Sequence, residues 1–311
     1  MSSIALRLRA RAGLFAVSGG ALLWGTTGVA VRIIHDRSGL GAVPIGCLRL
    51  AISAVALVIV FGRAGVRRAR AALERHRWAL LVSGAGLGVY QALYFLGVQY
   101  VGVSISTLVS LAVAPVVITL GLAAARRAMP NPIALTTLGA AIAGLVLISL
   151  HPGGSGGSHP LWGVLASVGS GLGYAGTTLL NRRLVADGDP LLLTATTSLI
   201  GAVVLVPFAA ATLSWPHDGV SSFWLVYIGI VPTAIAYWLF YAGLRTTPTE
   251  TAGVLTLLEP LTAAVLAAIV LHETLSTAGR LGAVLMLLAI GGLYVRAPED
   301  VPGPETEPPA L

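Results

Sequence analysis

Ten apolar stretches, each about long enough to cross a bilayer, fill almost all of the chain. They begin near Gly13, Pro44, Trp78, Val103, Ile133, Leu161, Leu191, Ser222, Thr251 and Thr277. A hydrophobic run of about 20 residues spans about 30 Å of hydrocarbon as a helix, and a helix satisfies its own backbone there. The runs predict an all-α membrane protein with ten transmembrane helices. What lies between them is too short for a soluble domain, so function is expected inside the bilayer. Composition agrees: 56% of residues are hydrophobic and only 10% charged, against about 25% charged in soluble domains.

The net charge of +7 comes from arginine alone, since the chain has no lysine. Its placement argues for orientation and against nucleic acid as a partner. With the N-terminus inside, the cytoplasmic segments hold Arg7, Arg9, Arg11, Arg63, Arg67, Arg68, Arg70, Arg75, Arg77, Arg126, Arg127, Arg182, Arg183, Arg245 and Arg296. The opposite side keeps only Arg32, Arg37 and Arg280, and Arg49 falls within a span. The positive-inside rule then puts both termini in the cytoplasm, which needs an even number of spans. The expected location is the cell (inner) membrane, with multiple passes.

Cys47 is the single cysteine, which excludes an internal disulfide or a multi-cysteine metal site. No cofactor is expected. Residues 1–12 read as a cytoplasmic segment. The apolar run after them is too long for the core of a signal peptide, so it reads as a retained first helix. Residues 297–311 are rich in Pro and Glu and read as a disordered cytoplasmic tail.

The Gly/Ser segment 151–160 is the one linker-like stretch mid-chain, and it leaves five spans on each side. The halves, 13–150 and 161–296, match. Trp24 falls on Tyr174 and Arg32 on Arg182. Trp78–Gly97 lies on Trp224–Gly243 without a gap, which sets Gln91 on Tyr237 and Tyr94 on Phe240. Pro115 falls on Pro260. An odd number of spans per repeat inverts the second half, giving two inverted five-helix repeats with an extracytoplasmic linker. Inverted repeats are the architecture through which secondary transporters alternate access. The plainer reading is gene duplication without alternating access.

LLWG at residues 22–25 and the run LLEPLTAAVLAAIVLHETLS from Leu257 to Ser276, set in ten spans and two repeats, resemble the EamA branch of the drug/metabolite transporter superfamily. The resemblance reaches to about Arg296. It implies transport of a small metabolite, often an amino acid or a related compound, and frequently export. One departure is visible: Arg127 and Ala128 stand opposite His272 and Glu273.

Polar groups inside a membrane are costly, so each is a candidate site. Glu259 is the deepest charge, about eight residues into its span and near the midplane. It is the candidate for proton coupling. The competing reading is a carboxyl that bonds a neighbouring Ser/Thr or a helix end, since Pro260 beside it frees a backbone carbonyl. Arg49 is expected to snorkel to the interface; otherwise it would pair with a carboxylate or an anionic substrate group. Tyr174, Thr177, Thr178 and Asn181 share one helical face at i, i+3, i+4, i+7 spacing, and Trp24, Thr27 and Gly28 take the matching positions. Tyr90, Gln91 and Tyr94 share another face, as do Tyr237 and Tyr241, and Thr107 and Ser110 add polar groups on span four. Such faces point inward in a bundle. Trp24, Thr27, Tyr90, Gln91, Tyr94, Ser110, Tyr174, Thr177, Asn181, Tyr237 and Tyr241 are therefore the candidate substrate-binding residues of a central aromatic cavity. For any one of them, interhelical packing is the plainer role.

The chain has no nucleotide-binding loop for an ATP-driven pump, and the scarcity of cavity arginine argues against a phosphate-ester carrier. These readings converge on a secondary active exporter of a small neutral or zwitterionic metabolite. The alternatives are a uniporter, a drug-type exporter of another organic solute, a channel, or a membrane enzyme. A monomer or weak homodimer is expected.

Overall fold

The computed structural model describes residues 3–130, 132–149, 159–270 and 276–296. The linker at Gly153–Gly157, the His272 and Glu273 pair and the tail from Ala297 lie outside the described residues. Within them the regular elements are helices: α1 (Ser3–Gly25), α2 (Thr27–Ser38), α3 (Ala42–Val101), α4 (Val103–Ala125), α5 (Pro132–Ser149), α6 (Pro160–Asp187), α7 (Pro190–Ala209), α8 (Gly219–Gly229), α9 (Ala236–Leu244), α10 (Thr249–Leu255), α11 (Leu258–Val270) and α12 (Thr277–Arg296). A π-helical turn, Ile230–Ile235, joins α8 to α9.

Nine helical stretches among the described residues are long and apolar enough to cross a membrane. They correspond to nine of the ten expected runs. The remaining run is α6, helical over 28 residues but too rich in Gly, Ser and Thr to join that set. Its polar residues are buried: Ser167, Ser170, Thr177, Thr178 and Asn181 all face protein. A helix that turns its polar face to its neighbours needs apolar residues only on the opposite face, where Leu161, Trp162, Leu165 and Leu172 are exposed.

Glycines set the closest approaches. A Cβ at Gly84 or Gly88 would meet Ile200 or Val204 of α7, and one at Gly173 would come within 2.8 Å of Tyr90 Cβ. A Cβ on Gly20 would lie 2.7 Å from the Ala236 carbonyl, and one on Gly144 2.7 Å from the Gly282 carbonyl. Small residues replace bulk at these crossings, so that backbones pack by van der Waals contact. The pairs α1–α9, α3–α7 and α5–α12 each join a helix from the first half of the chain to one from the second.

Several spans are not straight rods. The Arg-rich segment after Gly62 is helical, so that α3 runs on through bends at Gly62 (φ 57°) and His76. The positive φ at Gly62 suits only glycine readily. The first span breaks at Thr26, whose hydroxyl donates to the Leu23 carbonyl at 2.7 Å. The ninth breaks at Thr256 and Leu257, directly before Glu259. In the eighth, Pro232 has no N–H to offer the carbonyl four residues back, Ile228. Thr233 Oγ1 donates to that carbonyl instead, at 2.6 Å. The π turn is the local consequence, and it re-aims the chain just ahead of Tyr237.

Candidate functional site

An aromatic cluster sits where α1, α3, α6 and α9 meet. The Trp24 ring is 5.0 Å from that of Tyr237, 5.1 Å from Phe240 and 6.4 Å from Tyr174. Tyr90 meets Tyr174 edge-on at 5.6 Å. The Tyr90 and Tyr237 hydroxyls share a hydrogen bond of 2.9 Å. Edge-to-face rings at these distances attract through their quadrupoles, beyond the apolar area they bury.

Beside the cluster lies a narrow cavity of about 10 Å³, room for about one water, lined by Leu87, Tyr90, Tyr174, Thr177, Thr178, Asn181, Tyr237, Phe240 and Tyr241. Sites for drug-sized ligands are usually larger, about 300 Å³ or more. The rings themselves occupy the centre, so this is a closed arrangement. Its floor is polar: Asn181 Nδ2 donates to the Tyr241 hydroxyl at 3.1 Å, and Ser83 Oγ donates to Asn181 Oδ1.

Five of the sequence candidates, Tyr90, Tyr174, Thr177, Tyr237 and Asn181, line that cavity, and Tyr241 makes a sixth. Trp24 belongs to the ring cluster without lining the cavity. Ser110 is spent elsewhere: its hydroxyl donates to the Ser167 carbonyl where α4 crosses α6. Tyr94 bonds Thr107 at 2.7 Å. Sequence reasoning did not single out Leu87 or Phe240 as lining residues, nor Ser83 as the partner of Asn181. Phe240 stands opposite Tyr94 in the repeat alignment, which is the signal that could have found it.

Arg49 does not snorkel outward, which corrects the expectation. Its Nη2 donates to Gln91 Oε1 at 2.7 Å, inside the protein. The Gln91 side chain is buried and its Nε2 has no hydrogen-bond partner; neither have Trp24 Nε1 and Thr27 Oγ1. A buried donor left unpaired costs about 1–3 kcal/mol, so these atoms call for an explanation.

Glu259 lies in the first turn of α11, within electrostatic reach of Arg49, Tyr94, Tyr174 and Tyr237. The carbonyl that Pro260 frees is that of Thr256, and the Glu259 N–H takes it at 3.0 Å. Thr256 Oγ1 donates to the Gly253 carbonyl. The carboxylate is therefore needed for neither helix end nor threonine, and it makes no hydrogen bond to the described residues. Packing is tight on its backbone side, where a Cβ at Gly25 would lie 2.7 Å from the Glu259 carbonyl.

Two ion pairs tie the halves together at opposite ends of the bundle. Arg37, at the end of α2, meets Asp218, which precedes α8, at 3.3 Å. Arg126, after α4, meets Glu250, at the start of α10, at 2.8 Å.

A multi-pass helical bundle with a closed polar and aromatic cavity between its halves has the form of a membrane carrier. The chain belongs to the EamA-like transporter family, whose model matches residues 11–150 and again residues 161–295. It is similar to the uncharacterized transporter YwfM of Bacillus subtilis (strain 168), with 31% identity over 216 residues, 68% of this chain and 72% of that protein. It is also similar to the threonine/homoserine exporter RhtA of Escherichia coli (strain K12), with 32% identity over 230 residues, 73% of this chain and 71% of that protein. A solved crystal structure shares the fold with a TM-score of 0.75 at 20% identity, over 93% of this chain and 97% of that one.

Proposed function

We propose that this transporter is a secondary active exporter of a small neutral or zwitterionic metabolite, an amino acid or a close relative. It works by alternating access of two inverted five-helix repeats, residues 13–150 and 161–296, around the central aromatic cavity. The observation that carries the reading is the cavity's composition: both halves supply its rings, and one family model matches each half. The likeness to a threonine/homoserine exporter supports the amino-acid class.

In this reading α6 is the sixth of ten spans, segment 151–160 is an extracytoplasmic linker, and residues 1–12 and the tail 297–311 are cytoplasmic. The protein sits in the inner membrane as a monomer or weak homodimer. Trp24, Thr27, Tyr90, Gln91, Tyr94, Ser110, Tyr174, Thr177, Asn181, Tyr237 and Tyr241 form or support the binding site, and Glu259 couples movement to protons. The closed cavity and the two end-to-end ion pairs suit an occluded state. Opening to one side would break one pair and keep the other.

Purified protein in liposomes tests this. Saturable counterflow of radiolabelled threonine or homoserine, together with net uptake driven by a proton gradient, is the expected result. Saturable counterflow with net flux indifferent to a proton gradient would make the protein a uniporter. Conductance without saturation would reject a carrier.

A further inference from the structure

A strongly basic stretch lies in the middle of α3, away from the cavity. Residues 63–77 hold six arginines against a single acid, Glu74. A straight helix of 60 residues would be about 90 Å long, about three times the hydrocarbon thickness. Instead α3 turns at Gly62 and again at His76, where the backbone angles are not helical, and the residues between the bends form a helix of their own. That helix joins two stretches long and apolar enough to cross the membrane, Ala42–Arg63 and Glu74–Val101. Both of its ends run into the bilayer, so it is held at the membrane surface.

Its two faces differ. Gly65 is buried and Ala69 and Ala72 are half-buried, at i, i+4, i+7 spacing, and Ala72 packs against the main core of the bundle. Arg63, Arg67, Arg68 and Arg75 lie on the rest of the helix and are exposed. None of them enters an ion pair among the described residues; those pairs are Arg32–Asp36, Arg37–Asp218 and Arg126–Glu250. The next two residues mark the level of the interface. Trp78 is 69% exposed, and the Arg77 guanidinium lies 5.5 Å over its ring. Tryptophan at the end of a span sits at headgroup depth, and Arg75 is within one helical turn of it in the chain.

We propose that this helix is a binding site for anionic phospholipid headgroups, gripped through Arg63, Arg67, Arg68 and Arg75. A guanidinium takes a phosphate through two parallel N–H bonds. Clusters of basic residues beside a span or on an amphipathic helix attract anionic lipid. The packed face fixes the helix and turns its cations outward, and the two flanking spans bring lipid to it at high local concentration. Lipid held here bears on the cavity through the chain, since the span that follows carries Tyr90.

Thermal midpoints of the purified protein in neutral detergent micelles, doped with phosphatidylglycerol or with zwitterionic phosphatidylcholine, test this. The midpoint should rise with phosphatidylglycerol, because lipid that binds only the folded protein stabilises it, and not with phosphatidylcholine. The rise should fade as salt is raised from about 50 to about 500 mM. Arg67→Gln, Arg68→Gln and Arg75→Gln combined should weaken the apparent affinity on the order of a hundredfold, at about fivefold for each arginine near a membrane surface. Lysine at the same three positions should keep most of the affinity. Arg127, Arg183 and Arg245 are exposed arginines that the proposed orientation puts on the same side. Their combined change to glutamine should cost less than about fivefold. If the first triple variant does not fold, Arg67→Gln and Arg68→Gln carry the test singly, at about fivefold each. Equal losses in the two triple variants would mean that net charge alone matters and would overturn the proposal. So would an equal rise with phosphatidylcholine, or an equal rise with inorganic phosphate, which would make the patch a site for free anions.

Discussion

The hydroxyls of Tyr90 and Tyr237 lie 2.9 Å apart and bond only across the boundary between the two halves of the chain. Both side chains are buried. Tyr237→Phe therefore strands the Tyr90 hydroxyl, at a cost of about 1–3 kcal/mol, and Tyr90→Phe strands its partner. Each single variant should lower the thermal midpoint in detergent. The double variant leaves no orphan and should lose less than the two singles combined. Additive losses would mean that the bond does not hold the halves together.

The same rings should determine affinity. Single alanine variants at Trp24, Tyr174, Tyr237 and Tyr241 remove large apolar faces from one cluster. Each should reach the membrane in normal amounts and raise the half-saturating solute concentration in counterflow by tenfold or so, about 1.4 kcal/mol of lost binding. Normal kinetics in all four would move the binding site elsewhere.

These residues were legible in the sequence because helical spacing gathers them on single faces, and a polar face cannot turn to lipid. The spans were legible for a similar reason: hydrocarbon imposes a length that a plain run of apolar residues reveals. Arg49 was not. Snorkelling depends on whether a partner stands nearer than the interface, and its partner Gln91 is 42 residues away in the chain. The break at Thr26 was also hidden, because no proline stands near it; that at Thr256 has a signal in Pro260, which cannot bond the Thr256 carbonyl. The π turn could have been anticipated from Pro232, but only with Thr233 read as the donor that repairs its missing bond. For Glu259, sequence reasoning weighed a structural carboxyl against a functional one. A backbone detail hidden from the sequence bears on this: the Glu259 N–H, not its carboxyl, sits against the carbonyl that Pro260 releases.

Orientation is open to chemical labelling. Cys47 is buried, with its Sγ 3.5 Å from the Ala202 carbonyl, and should resist an impermeant thiol reagent. On a Cys47→Ala background, Gly154→Cys should label in intact cells. Labelling only after lysis would invert the topology.

Asp218 gives a pH-dependent handle outside the spans. Ser221, which sits against the carboxylate and donates its N–H at 2.9 Å, is the main cause that holds the Asp218 carboxyl at about 2, down from the ordinary 3.8; Arg37 adds to it. A depressed carboxyl stabilises the fold fully above its ordinary value, and that contribution is lost as pH falls toward the folded value. The parent should therefore melt above Asp218→Ala at pH 6. That difference should shrink between pH 4 and about 2. A difference that is constant down to acid pH would assign the effect to packing alone.

On the proposed function, Glu259 is the group that couples transport to protons. Its carboxylate is half-buried, unbonded by the described residues, and set in the first turn of α11 beside the break at Thr256. An ionised carboxyl is costly in such a place, whereas a protonated one is not, so movement of the halves would change its hold on a proton. Glu259→Gln keeps the shape and removes the charge. It should abolish the response of transport to an imposed pH gradient. Saturable counterflow, which needs no net proton movement, should persist. The first half supplies Ala114 at the matching position, so this pair of sites offers one acid, not two. One proton per cycle is then the ceiling through these positions, and parallel flux measurements of solute and protons would read the ratio. Transport by Glu259→Gln with its pH dependence intact would make the carboxylate structural and assign any coupling to another residue.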